Sequence, residues 1–158
     1  MRLSRFLAAC LLPCAGAVLA QASAASEPAD AAASHAFYQE AADCSAAYKA
    51  GVTARLAQPK TEARDKAILE DTERSFVFIG VAYKQGLRKA EADPMLEEAE
   101  QRWAKLPKAE QTKRLAACTA HADKLMGEIS FVERYAVQNR AKARVEQQFE
   151  KEKKKQAQ

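Results

Sequence analysis

The sequence predicts an all-α protein, an elongated antiparallel bundle of about four helices with a long C-terminal helix. Three observations predict it. Apolar residues recur at three- and four-residue steps through the segments between Pro59, Pro94 and Pro107. The whole chain of 158 residues holds only five glycines and five prolines, too few for a loop-rich or low-complexity chain. Its 48% hydrophobic and 29% charged residues suit a soluble globular domain and argue against disorder.

Residues 1–24 read as a cleaved secretory signal. Arg2 and Arg5 form a basic start, residues 6–19 an apolar stretch, and Ala20-Gln21-Ala22 or Ala22-Ser23-Ala24 a small-residue cleavage site. A membrane anchor needs about 20 apolar residues, and this run is shorter and interrupted by Pro13. Leu7-Ala8-Ala9-Cys10 resembles a lipoprotein cleavage box, but it leaves too short an apolar core ahead of the cut. The expected location is the periplasm, with secretion as the alternative. Loss of Arg2 and Arg5 lowers the formal charge from +4 to +2, and loss of Cys10 and Cys14 leaves Cys44 and Cys118.

The bundle domain is assigned to residues 25–139, opening with a polar lead over residues 26–34. In the first helix Phe37, Ala41, Cys44, Tyr48, Val52 and Leu56 share a face. Gln58-Pro59 ends it, and Thr61 suits the N-cap of the second helix, with Glu62/Lys66 and Glu70/Arg74 as four-residue ion pairs. Phe76-Val77-Phe78-Ile79 and Val81 are aromatic or β-branched and would pass for a strand alone, but their helix-forming flanks favour a helix buried almost all round. On that reading Ile79→Asp is severely destabilising. Gly86 is expected as a left-handed cap followed by apolar Leu87. Gly51, Gly80 and Gly127 are expected to admit a neighbouring helix closely.

Asp93-Pro94 predicts the start of a short third helix, with Leu96, Ala99, Trp103 and Leu106 on one face. After Pro107 the last helix is expected to run unbroken, with Leu115, Cys118, Ala122, Leu125, Ile129, Val132 and Ala136 as its seam. From Lys108 to Lys153 it would measure about 69 Å against about 38 Å for the second helix, so its end should overhang or bend.

Cys44 and Cys118 lie on the inward seams of the first and last helices, and a disulfide between them is expected in an oxidising compartment. No Cys-x-x-Cys pair supports redox catalysis. Cys118 and His121 have the spacing of two metal ligands, but His35 is too far from Cys44 to complete a site. Glu97, Glu98 and Glu100 are the cluster expected from a helix dipole, and neither His35 nor His121 sits in a nucleophile motif. No catalytic residue, metal or cofactor is therefore assigned, and the protein is read as no enzyme.

Residues 140–158 read as a basic helical extension with seven basic and three acidic residues. Val137, Ala141, Val145 and Phe149 form a narrow apolar stripe on it, and Arg140, Arg144, Val145 and Phe149 are the candidate partner-binding residues. The partner expected is an envelope protein or an anionic surface; nucleic acid is a poor fit to so small a net charge. The reading is a non-enzymatic exported protein that binds a macromolecule, as an adaptor, immunity-type or chaperone-like factor. The alternative is a small-ligand or metal carrier using the bundle interior.

Overall fold

A computed structural model describes residues 27–156, which form five helices and no strand: α1 Glu27–Leu56, α2 Glu62–Lys84, α3 Lys89–Lys105, α4 Lys108–Glu128 and α5 Phe131–Gln156. The all-α helical bundle expected from the sequence is present, with five helices in place of four. The proposed signal segment and its cleavage site lie outside the described residues.

The second helix is the centre of the packing. Thr61 accepts the backbone N–H of Arg64 at its start. At its end Gly86 takes a φ of 107°, while Leu87 N–H donates to Ala82 O and Gly86 N–H to Tyr83 O. That closing pattern satisfies two end carbonyls and turns the buried Leu87 back onto the core, as the sequence predicts. Between these caps Ile68, Val77, Phe78 and Ala82 are fully enclosed.

Both long neighbours run antiparallel to α2. For α1, Tyr38 Oη donates to Gln85 O at 2.6 Å near one end, and Arg55 pairs with Asp71 toward the other. For α5, Lys84 pairs with Glu133 at 2.7 Å, and Arg64 reaches Glu152 at 2.9 Å nineteen residues later along α5. The main core joins Cys44, Tyr48, Val77, Phe78, Ala122, Leu125 and Val137; a second cluster joins Val52, Ile68 and Val145.

The disulfide joins Cys44 of α1 to Cys118 of α4, with S–S 2.01 Å and Cα–Cα 5.5 Å. It lies beside an aromatic group in which His121 stands edge-on to Phe78 at 5.4 Å and to Phe37 at 6.1 Å. His121 Nδ1 is also 2.6 Å from Glu40 Oε1. Cys118 is thus committed to a covalent bond rather than to a ligand pair with His121.

Four sequence expectations are corrected. From residue 27 on the polar lead is helical, because the alanine-rich stretch after Pro28 carries high helix propensity and a proline is tolerated in a first turn. Pro94 lies inside α3 rather than opening it: Glu91 accepts the Arg88 N–H at 3.2 Å, which sets the start one turn earlier. Gly80 and Gly127 admit no neighbour, since a Cβ on either would meet nothing within 4 Å. Ile79 is only half-buried; the enclosed side chains in that stretch are Val77 and Phe78, so a charge at Ile79 faces a cleft instead of the sealed core.

The largest correction is in the last helix, which breaks at Ile129–Ser130. Ser130 and Glu133 form a reciprocal cap: Glu133 accepts the Ser130 N–H at 2.8 Å, and Ser130 Oγ accepts the Glu133 N–H at 3.3 Å. The chain then lies back along α2 instead of overhanging. Ala141 and Val145 are buried, so the expected boundary between residues 139 and 140 falls inside one packed helix.

The disulfide closes a 74-residue separation, which the chain-entropy treatment values at about 4 to 5 kcal/mol. Oxidised protein should show no free thiol among Cys44 and Cys118, and Cys44→Ser should lower the melting temperature strongly under oxidising conditions but little under reducing ones. Equal losses in both conditions would assign the effect to packing.

Candidate functional site

Once α5 is laid on α2, the four residues expected to bind a partner separate into two pairs. Val145 is 5% exposed and packs with Val52 and Ile68. Phe149 joins the same cluster, its ring flanked by Lys60 Nζ at 5.9 Å and the Arg64 guanidinium at 5.8 Å. These two are therefore structural in this packing, a correction that follows from the broken helix. Arg140 and Arg144 remain exposed, and each borders a cleft along the α2–α5 seam.

The upper cleft, about 480 Å³, is bounded on α2 by Phe76, Ile79, Gly80 and Tyr83 and on the other wall by Ile129, Ala136, Val137 and Arg140. Gly80 leaves it open, because no side chain projects there. The lower cleft, about 320 Å³, shares Phe76 and Ile79 with the upper one and continues between α1 and α5 past Arg144 and Gln148. A third cleft of about 490 Å³ lies between α1, α3 and α4, where Trp103 and Leu106 face the Cys44–Cys118 bridge and the Arg102–Asp43 ion pair, 2.7 Å long, sits at the rim. Trp103 is thus a half-buried cleft wall, not a sealed core residue.

Among the described residues, the most exposed group of large apolar side chains is one that the helical periodicity does not reveal. Phe131 is 80% exposed, Val132 73% and Tyr135 59%, all in the first turn and a half of α5. At 100° per residue they point about 120° to 160° away from Val137, whose face is buried against α2. Val132 precedes Ala136 by one turn, so the patch continues into the upper cleft. An unbroken seam would have put Val132 and Ala136 inside. The signal that locates the break is Ser130-Phe131-Val132-Glu133, a serine followed three residues later by glutamate.

The positive charge of α5 lies beyond this patch: residues 131–139 hold one acidic and one basic residue, Glu133 and Arg134, and the excess follows from residue 140 on. The fifth helix carries eight basic and four acidic residues, a balance of +4 equal to the charge of the whole chain. Glu133 is held well below the ordinary carboxylate range, at about 2, first by its bond from Lys84 and then by those from Ser130. Asp71, deep between Arg55 and Arg74, is shifted the other way: burial raises its pKa, and the two guanidiniums oppose that only in part. Burial likewise raises the Tyr48 phenol, which donates to Thr119 Oγ1 at 3.4 Å.

Among the described residues, no group of three or more His, Cys, Asp or Glu gathers as metal ligands, and no helix is long and apolar enough to cross a membrane. No family model, curated protein or solved structure matches this chain.

The Glu133 cap sets the start of the exposed patch, and its contribution has a defined pH window. A carboxylate whose folded pKa is depressed stabilises the fold above its unfolded value of 4.5 and loses that contribution as pH falls toward about 2. Glu133→Gln should accordingly melt below wild type at pH 7, and the gap should close between pH 4.5 and 2. A gap independent of pH would show that the ionised carboxylate is not what holds the junction.

Proposed function

We propose that the protein is a non-enzymatic, exported helical factor that binds another envelope protein through the opening of α5. The observation that carries this reading is the contiguous exposure of Phe131, Val132 and Tyr135 beside an open apolar cleft. Large apolar side chains grouped at this exposure are unusual on a monomer and are the kind of anchor that protein interfaces cover. Arg140 at the cleft edge selects a partner segment whose apolar anchors are flanked by an acidic residue. Export is supported by the N-terminal sequence pattern and agrees with an internal disulfide.

Of the sequence candidates, Arg140 keeps its proposed partner-binding role, and the apolar contribution moves from Val145 and Phe149 to Phe131, Val132 and Tyr135. That transfer changes the expected variants. Phe131→Ser with Tyr135→Ser removes exposed surface only, whereas Val145→Ser opens the second core cluster.

A photo-crosslinking residue placed at Tyr135 in cells, with one at Lys113 on α4 as control, should yield a position-specific adduct with one envelope protein. The purified pair should then lose at least about tenfold in affinity with Phe131→Ser/Tyr135→Ser, while the melting temperature stays near wild type. Arg140→Glu should weaken the pair and reduce its salt dependence. Adducts equal at both positions, or recovery only with phosphatidylglycerol vesicles, would overturn the protein-partner reading.

A further inference from the structure

Three of the cavities join into one trough. The upper and lower clefts share Phe76 and Ile79, and a smaller cavity of about 160 Å³ between α1, α2 and α3 shares Ile79 and Tyr83 with the upper cleft and Leu96 with the lower. The outward face of α2 is therefore the floor. One wall is α3, through Met95 and Leu96, and the other is α5.

Gly80 lies on this floor. A glycine inside a helix is unfavourable relative to alanine, and the packing does not require one here, because a Cβ at Gly80 would meet no atom within 4 Å. What the missing side chain provides is access to bare helix backbone from outside, the condition for close approach of a second chain.

The α5 wall carries a line of residues one turn apart: Val132, Ala136, Arg140 and Arg144. All four are exposed, the first two apolar and the last two basic. Neither guanidinium makes an ion pair with a described residue, whereas Lys84 on the same cleft is engaged by Glu133 at 2.7 Å. The line measures about 18 Å, a little over three helical turns. A trough open to solvent would leave much of a small molecule in water, but a helix laid along it covers the floor and both walls. A second copy of this chain does not complement the wall, because its exposed apolar turn at Phe131, Val132 and Tyr135 is followed by the same two arginines where carboxylates are needed.

We propose that the partner's segment is an amphipathic helix of about four turns that crosses α2 over Gly80, with its apolar face on Phe76, Ile79 and Tyr83 and two carboxylates four residues apart against Arg140 and Arg144. This names the partner of the α5 surface and rests on the envelope-protein reading.

The test places the photo-crosslinking residue at Tyr83, on the floor, beside the Tyr135 and Lys113 positions, in the full chain in cells. Tyr83 should capture the same protein as Tyr135, and mass spectrometry of the adduct should map a segment with helical apolar periodicity and paired acidic residues. A synthetic peptide of that segment should gain helical ellipticity on binding the oxidised chain. Gly80→Leu should weaken the peptide at least about tenfold without lowering the melting temperature, since leucine fills the approach while favouring the helix. Gly80→Ala should melt above wild type, and Arg140→Glu/Arg144→Glu should weaken the peptide and flatten its salt dependence. An adduct at Tyr135 with none at Tyr83 would overturn this inference and leave the α5 surface standing; no adduct at either would remove both. A mapped segment that binds in extended form or lacks acidic residues, an adduct between two copies of this chain, an adduct with lipid, or wild-type affinity in Gly80→Leu would each contradict the helix in the trough.

Discussion

The molecule depends on how the stretch from Lys108 to Gln156 is divided. As one straight helix it would reach well beyond the roughly 34 Å of the 23-residue α2, and half of its apolar stripe would stay in water. The reciprocal bonds between Ser130 and Glu133 end one helix and start another within two residues. The new helix then lies back along α2 and spans it almost end to end, from Lys84–Glu133 to Arg64–Glu152. Burial of Val137, Ala141 and Val145 follows from that alignment.

At the far end the alignment is held by chemistry unlike the middle. Arg64 is nearly enclosed, its side chain 2% exposed, and its guanidinium is met by both Glu152 oxygens, by Asp65 and by Gln58 O. The Glu152 bond is the main reason that its pKa is raised. Every donor direction used is matched, which is the condition under which a buried cation is tolerated. Phe149 stacks against the same guanidinium, so the last turns of α5 are fastened by one arginine that also closes the α1–α2 corner. The disulfide acts elsewhere, holding α4 to α1, where helix packing is less extensive than along α2.

Local rules were legible in the sequence, and long-range alignment was not. The Thr61 cap, the Gly86–Leu87 closure and the helical state of Phe76–Val81 follow from nearby residues, and the cysteine pairing follows from two inward seams in an oxidising setting. The course of α5 turns on Arg64 meeting Glu152 across 88 residues, a contact that no periodicity announces. The regular seam through Ile129, Val132 and Ala136 also concealed a competing signal, because an apolar repeat outweighed the Ser130–Glu133 box lying across it. Once the box is given priority, the stripe Val137, Ala141, Val145 and Phe149 becomes core, and Phe131 and Tyr135 become surface.

The proposed partner surface inherits this geometry. The break leaves the first turns of α5 uncovered, and the return along α2 buries the stripe that follows them. The most direct test is the distance between spin labels at Lys66 on α2 and Lys153 on α5, measured by pulsed electron–electron resonance with the native cysteines oxidised. An antiparallel α5 predicts a single short distance, below about 25 Å once label arms are included. A helix continuing away from the bundle beyond Glu133 would separate the labels by about 57 Å, and a dominant peak there would contradict the account.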